Sequence, residues 1–317
     1  MSEKKIIAVL GATGAQGSGV VRAILGDKSG GFTARALTRD VNSDKAKALA
    51  DIGAEVVSAD IDNYESLKSA FKGAYGVFAV TFFWEHFSAE KEIEQAGLIA
   101  KAAKETGIKH VIWSTLEDTR KWIPLDDNRM PTLGGKYKVP HFDGKGEADN
   151  IFVEQGLPFT LLLTSGYWEN LIYFGWGPAR GEDGKLSLIL PMGNKKLPGI
   201  AVEDIGKSAY EIFKRGNEFV GKKVGIAGGH LTGKEMAESL TKALGEEVTY
   251  NPLSFDAYRG LGFPGADDVG NMFQFKHDFE EDYCRTRDLK FSKSLNLELK
   301  TFDEWLKENA SKIPLGN

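Results

Sequence analysis

The chain has 317 residues, 42% of them apolar, and sets 40 basic against 45 acidic side chains for a net charge of −5. That length holds one large α/β domain or a nucleotide domain with an appendage, and a mildly acidic balance without a basic stripe speaks against a dedicated nucleic-acid or membrane-surface binder. No apolar run approaches the ~20 residues that span a bilayer, and a lone cysteine, Cys284, excludes an intramolecular disulfide or a cysteine-cluster metal site.

Met1-Ser-Glu-Lys-Lys leads straight into an apolar run and does not read as a secretory signal. The expected compartment is the cytoplasm first and the nucleus second. Cys284 follows Glu280, Glu281 and Asp282, whose charges should raise its pKa and keep it a passive thiol.

In chain order, the β-branched run Ile6-Ile-Ala-Val-Leu ends in glycines at positions 11, 14 and 17 and leads into the helix-like Val20-Val-Arg-Ala-Ile-Leu25. Strand, glycine turn and helix make a pyrophosphate cradle: Gly11 for the tight turn, Gly14 for backbone approach, Gly17 for close helix–strand packing. Apolar runs then alternate with helical patterns, the signature of a parallel sheet with crossover helices. Strands are expected at Lys5–Leu10, Thr33–Thr38, Glu55–Ala59, Gly76–Thr81, His110–Ser114 and Pro158–Leu163, with helices beginning near Gln16, Ser43, Tyr64, Ala89 and Gly144. The Ala89–Glu105 helix is clearest, with Ile93, Ala96, Ile99, Ala100 and Ala103 on one side and Gly107 as its stop.

Beyond Thr164 the pattern loosens. Lys185–Pro191 and Lys222–Ile226 read as strands and Val202–Phe213 as a helix, while Thr232-Gly-Lys-Glu235 and Thr301-Phe-Asp-Glu304 are capping boxes that open two more helices. The expected fold is α/β: a Rossmann-type doubly wound parallel sheet in residues 1–165 and a smaller, interleaved α/β lobe in residues 166–317, with segments near 200–228 returning to the first domain.

The end of the second strand decides between NAD and NADP, because an acid there bonds the ribose 2′-hydroxyl and a base pairs the 2′-phosphate. Thr38-Arg39 offers a hydroxyl and a planar guanidinium, which favours NADP(H). A solvated turn with Arg39 paired to Asp40 is the alternative. Asp60-Ile61-Asp62 ends the third strand near the expected adenine edge, and Thr81-Phe82-Phe83-Trp84 ends the fourth beside the expected nicotinamide half. Those aromatics are either pocket wall or core.

Taken with Pro140-His141-Phe-Asp-Gly-Lys145-Gly-Glu147, Tyr167-Trp-Glu-Asn170 and Gly262-Phe-Pro-Gly-Ala266, these motifs resemble the NmrA-like family of atypical short-chain dehydrogenase/reductases. The likeness extends to the NADPH sensors of that family and runs from Lys5 to beyond Trp305. The resemblance implies NADP(H) as cofactor. It implies that Gly11, Ala12, Thr13, Gly14, Ala15 and Gln16 wrap the pyrophosphate, above the close packing that Gly17 allows, and that Arg39 meets the 2′-phosphate, where Thr38 offers its further donor. Asp60 and Ile61 would flank the adenine, and Thr81, Phe82 and Phe83 the nicotinamide ribose. Lys145, Tyr167, Trp168, Glu169 and Asn170 would close over the nicotinamide end.

One departure from ordinary short-chain dehydrogenases stands out. Those enzymes place a Tyr four residues before a Lys as proton donor; here the pair is His141 and Lys145. His141 would donate a proton near neutral pH, or Lys145 would serve only to bond the ribose and pair with Asp149. Tyr137 offers a phenol at the wrong spacing, and Ser114 and Thr115 are either substrate-polarising hydroxyls or strand-end caps. The remaining histidines are scattered without ligand spacing, so no metal is expected. The long aperiodic segment Glu117–Val139 is expected to be a mobile loop that covers the nicotinamide end and responds to the cofactor. The leading expectation is an NADP(H)-binding redox sensor that reports cofactor occupancy to a protein partner, as a monomer or homodimer. The alternative is an NADPH-dependent reductase of a quinone or an aromatic or carbonyl small molecule.

Overall fold

A computed structural model describes residues 3–316. It divides into two compact units, the first made, among the described residues, of 3–118, His141–Leu163 and Val202–Val224, the second of Thr119–Pro140, Thr164–Ala201 and 225–316.

The first unit is a seven-stranded sheet. Its strands are β1 (Lys5–Val9), β2 (Phe32–Thr38), β3 (Glu55–Ser58), β4 (Gly76–Ala79), β5 (His110–Thr115), β6 (Phe159–Leu163) and a last strand, Lys222–Gly225. The spatial order is Lys222–Gly225, β6, β5, β4, β1, β2, β3, and the pairs from β3 through to β6 are parallel. The order reverses beside β1, the switch point where open α/β sheets bind ligands at their carboxyl ends. Helices α1 (Ala15–Gly26), α2 (Asp44–Asp51), α3 (Tyr64–Phe71), α4 (Ala89–Glu105) and α5 (Pro140–Glu154) make the crossovers, joined by Val202–Arg215 from later in the chain. Central strands are buried on both faces, which is why β4 and β5 are buried throughout and why their neighbours read as continuous apolar runs rather than alternating ones. Trp113 of β5 stacks on Phe152 of α5 at 5.2 Å, and both are fully buried.

Helix ends follow the sequence closely. Ser43, Asn63 and Ser88 cap α2, α3 and α4 with side-chain oxygens. By contrast α1 is preceded by Gly14, which has no side chain to offer, so its first N–H groups are left for another acceptor.

Several boundaries differ from expectation, three of them as follows. Helix α5 begins at Pro140 rather than near Gly144, because Pro is well suited to a first helical turn and so carries His141 into the helix. The fourth strand stops at Ala79, and Phe83–Glu85 forms a 3₁₀ turn. The expected strand Lys185–Pro191 shortens to Leu186–Leu188.

The second unit carries two three-stranded sheets, one of Gly229–Thr232, Lys196–Ile200 and Gly166–Tyr167, the other of Val248–Tyr250, Leu186–Leu188 and Ala179–Arg180. Both predicted capping boxes form, at Thr232 with Glu235 and at Thr301 with Glu304. The buried helix Ala266–Asp278 had no clear periodic signal, since most of its residues are covered whatever their polarity.

The segment expected to be a mobile loop of the first domain is instead built into the second unit from Thr119 to Pro140. Buried Lys138 donates to the carbonyls of Asp127 (2.7 Å) and Met130 (2.9 Å), folding the segment onto itself. Asn271 then donates to the carbonyls of Lys138 (2.6 Å) and Pro131 (3.0 Å), and Gln274 to that of Arg129 (2.7 Å). Backbone groups that a free loop would give to water are thus paired with side chains of the unit.

Candidate dinucleotide site

The glycine turn between β1 and α1 is the foundation of the site. Gly11 has φ +60°, a conformation that suits glycine, and Gly14 N–H donates to its carbonyl at 2.8 Å. A Cβ on Gly17 would fall 2.2 Å from Gly11 O, so helix and turn approach as only glycine permits. Ala12 is buried, and its N–H donates to the Leu37 carbonyl, tying the turn to β2. Gln16 is held by Ser114 of β5, whose hydroxyl donates to Gln16 Oε1 at 2.8 Å. Ser114 thereby has a structural task in the cradle. Uncapped helix N–H groups beside bare glycine backbone fit a pyrophosphate.

Arg39 follows β2 and is exposed, as expected of a 2′-phosphate reader, but its partner is not Asp40. Its Nη1 donates to Glu85 Oε1 at 2.5 Å, and this bond, with the charge of Glu85, holds the guanidinium above its ordinary pKa. Asp40 instead accepts from the backbone N–H of Asn42, and Thr38 Oγ1 bonds locally to the Asp40 backbone. Asp60 receives the Asp62 N–H at 3.0 Å, and Ile61 packs partly buried against the core. Asp62 accepts from Lys91 and Gln95; burial pushes its carboxyl up, and these bonds outweigh burial to leave it below the usual range.

Of the aromatic run, Phe83 is buried and Phe82 is 57% exposed, so one is core and the other remains available to a ligand. Phe83 and Trp84 lie 5.9 and 4.8 Å from the His141 ring, which is itself buried.

Lys145 is anchored to Glu92 and Thr81. Its Nζ lies 2.6 Å from Glu92 Oε2 and donates to Thr81 Oγ1 (2.5 Å) and the Thr81 carbonyl (3.2 Å). Thr81 Oγ1 in turn donates to Glu92 Oε2 at 2.7 Å. The pairing expected with Asp149 does not form: Asp149 accepts from Thr115 at 2.6 Å and lies 3.6 Å from Lys223. The reason is position. Glu92 stands on the inner face of α4, among Ala89, Ala96 and Ile99, and is fully buried. A charge that deep requires a counter-charge, and Lys145 supplies it. An acid on a largely apolar helix face, where Gln95 is the other buried polar side chain, is the available signal. Glu85 carried none, because its role depends on a turn that brings residues 46 apart together.

Tyr167, Trp168, Glu169 and Asn170 belong to the second unit. There the Trp168 indole is buried near Phe302 (5.4 Å) and fills the space beside Gly199 and Gly228, and Glu169 accepts the Trp305 indole N–H at 2.9 Å. The Asn170 carbonyl receives the N–H groups of Phe174 and Trp176. Cys284 is pushed up to about 11, by burial first and Glu280 second. Among the described residues no cluster of three metal-ligating side chains occurs, and no helix is long and apolar enough to cross a membrane.

Residues 3–306 match the NmrA-like family model. The NmrA-like family domain-containing oxidoreductase malD of Malbranchea aurantiaca is 29% identical over 78% of this chain and 75% of its own length. Among solved structures, NmrA, a negative transcriptional regulator crystallised with NADP, superposes with a TM-score of 0.79 at 21% identity, covering 98% of this chain and 96% of that one. A triphenylmethane reductase of Citrobacter sp., crystallised with NADP(H), gives a TM-score of 0.74 at 20% identity, covering 96% and 99%. At such identities the solved structures establish the fold.

Proposed function

This chain belongs to the NmrA-like family, and from that premise we propose that it binds NADP(H) through the Gly11–Gly17 turn and Arg39 and acts as a redox sensor, reporting cofactor occupancy to a protein partner. The cradle and the exposed guanidinium support the cofactor. The observation that carries the sensor reading is the state of Lys145: its three N–H bonds are directed at Glu92 and Thr81, and no tyrosine stands at the donor position. An ammonium so engaged holds Glu92 and Thr81 in place and has no N–H poised for a substrate. Sensing further requires that the cofactor bind two states of the protein with different affinity.

A reductase of a quinone or an aromatic or carbonyl compound is the second reading, favoured by the oxidoreductase name of malD and by the exposed Phe82. His141 or Lys145 would then move the proton. NADPH oxidation measured over a panel of quinones and carbonyls separates the two: no turnover above the rate without protein, together with tight NADPH binding, supports the sensor. Sustained turnover by the wild-type protein replaces it with the reductase.

A further inference from the structure

The cation assigned to the 2′-phosphate already has a carboxylate partner. Arg39 Nη1 is bonded to Glu85 at 2.5 Å, with the two side chains 68% and 49% exposed, and Asp60 and Asp62 add negative charge nearby. A phosphate with nearly two negative charges that approaches Arg39 meets a carboxylate already on the same guanidinium. Either the pair opens, or two anions crowd one guanidinium. A cofactor with a 2′-hydroxyl carries no such charge and leaves the pair intact.

We propose that Glu85 is a specificity-determining residue: it occupies Arg39 in place of the 2′-phosphate, lowers affinity for NADP(H) relative to NAD(H), and so sets the NADP(H) concentration at which the site fills. This rests on the NADP(H) reading above. Exposed ion pairs are weak, so the effect is a matter of a few-fold, enough to move a sensing threshold without abolishing binding. The location adds a consequence. Glu85 ends the 3₁₀ turn Phe83–Glu85, which is followed by Phe87 at φ +55°, a strained conformation for a bulky residue. Releasing Glu85 frees one of the contacts holding that turn, and the same turn carries Phe83 against His141.

The test is calorimetric titration of wild type, Glu85→Gln, Arg39→Ala and the double variant with NADPH and NADH. Glu85→Gln is isosteric and exposed, and a thermal melt confirms its fold. The expected result is about three- to fivefold tighter NADPH binding in Glu85→Gln, with NADH within twofold of wild type and the gain gone when Arg39 is also replaced. Unchanged or weaker NADPH binding, an equal gain for both cofactors, or a gain that survives without Arg39 overturns the proposal while leaving NADP(H) binding in place. Failure of every variant to bind NADPH removes the NADP(H) reading itself, and Glu85 selectivity with it.

Discussion

Lys145 Nζ stands 2.6 Å from the fully buried carboxylate of Glu92, and Thr81 bridges the two through its hydroxyl. The lysine that resemblance assigns to the cofactor is also the counter-charge of the core beneath it. Removing one partner of such a pair strands the other, at a typical cost of about 3–5 kcal/mol. Lys145→Met should therefore lower unfolding free energy by about that amount, and adding Glu92→Gln should restore a good part of it. Urea denaturation of the two single variants and the double variant checks this. Simple additivity would mean the charges do not depend on each other. Binding defects in Lys145 variants need this comparison before they are read as lost cofactor contacts.

Gly17→Ala tests the cradle. The added Cβ would meet Gly11 O at 2.2 Å, so the turn must move. NADPH and NADH share the pyrophosphate, and both should lose at least about tenfold in affinity, roughly 1.4 kcal/mol. A variant that binds both normally would show that the pyrophosphate lies elsewhere.

His110 gives the fold an acid limit. Its Nε2 bonds Thr160 Oγ1 at 2.8 Å, Thr160 spends its own proton on the Phe219 carbonyl, and burial lowers the imidazole to about 4. The unfolded chain takes this proton near 6.5. Between those values the unfolded state binds more protons, so this group's contribution is intact above about pH 6.5 and is lost as pH falls toward 4, by roughly 3 kcal/mol in full. Urea midpoints for wild type and His110→Asn between pH 7.5 and 4.5 should converge as pH falls. Parallel curves would assign the acid sensitivity to other groups.

The segment Thr119–Pro140 should be protected rather than open. With Lys138, Asn271 and Gln274 holding its carbonyls, Asn271→Ala is expected to raise amide exchange across residues 127–138. Fast exchange in the wild type, unaltered by the variant, would return the segment to the lid behaviour first expected of it.

Much of this was legible because it is local. Gly11 to Gly17, the helix starts near Ser43 and Ala89, the two capping boxes and the β-branched strands each carry their cause within a few residues. Arg39 at the end of β2 was legible too, as a position. Its partner was not, since Asp40 is adjacent in sequence while Glu85 arrives only through a turn after β4. Glu92 left a mark, an acid on a buried helix face, whereas its pairing with Lys145 depends on how α4 and α5 meet β4. The Thr119–Pro140 segment was unreadable for a related reason: it has no periodic pattern, and its order comes from long-range bonds to Asn271 and Gln274.

The central claim, an NADP(H) site selected by Arg39, is tested most directly by titrating wild type and Arg39→Ala with NADPH and NADH under one set of conditions. Loss of a charge-assisted phosphate contact costs about 1.5–3 kcal/mol, so NADPH affinity should fall by about one to two decades while NADH changes little. Equal losses for both cofactors, or none for NADPH, would contradict it.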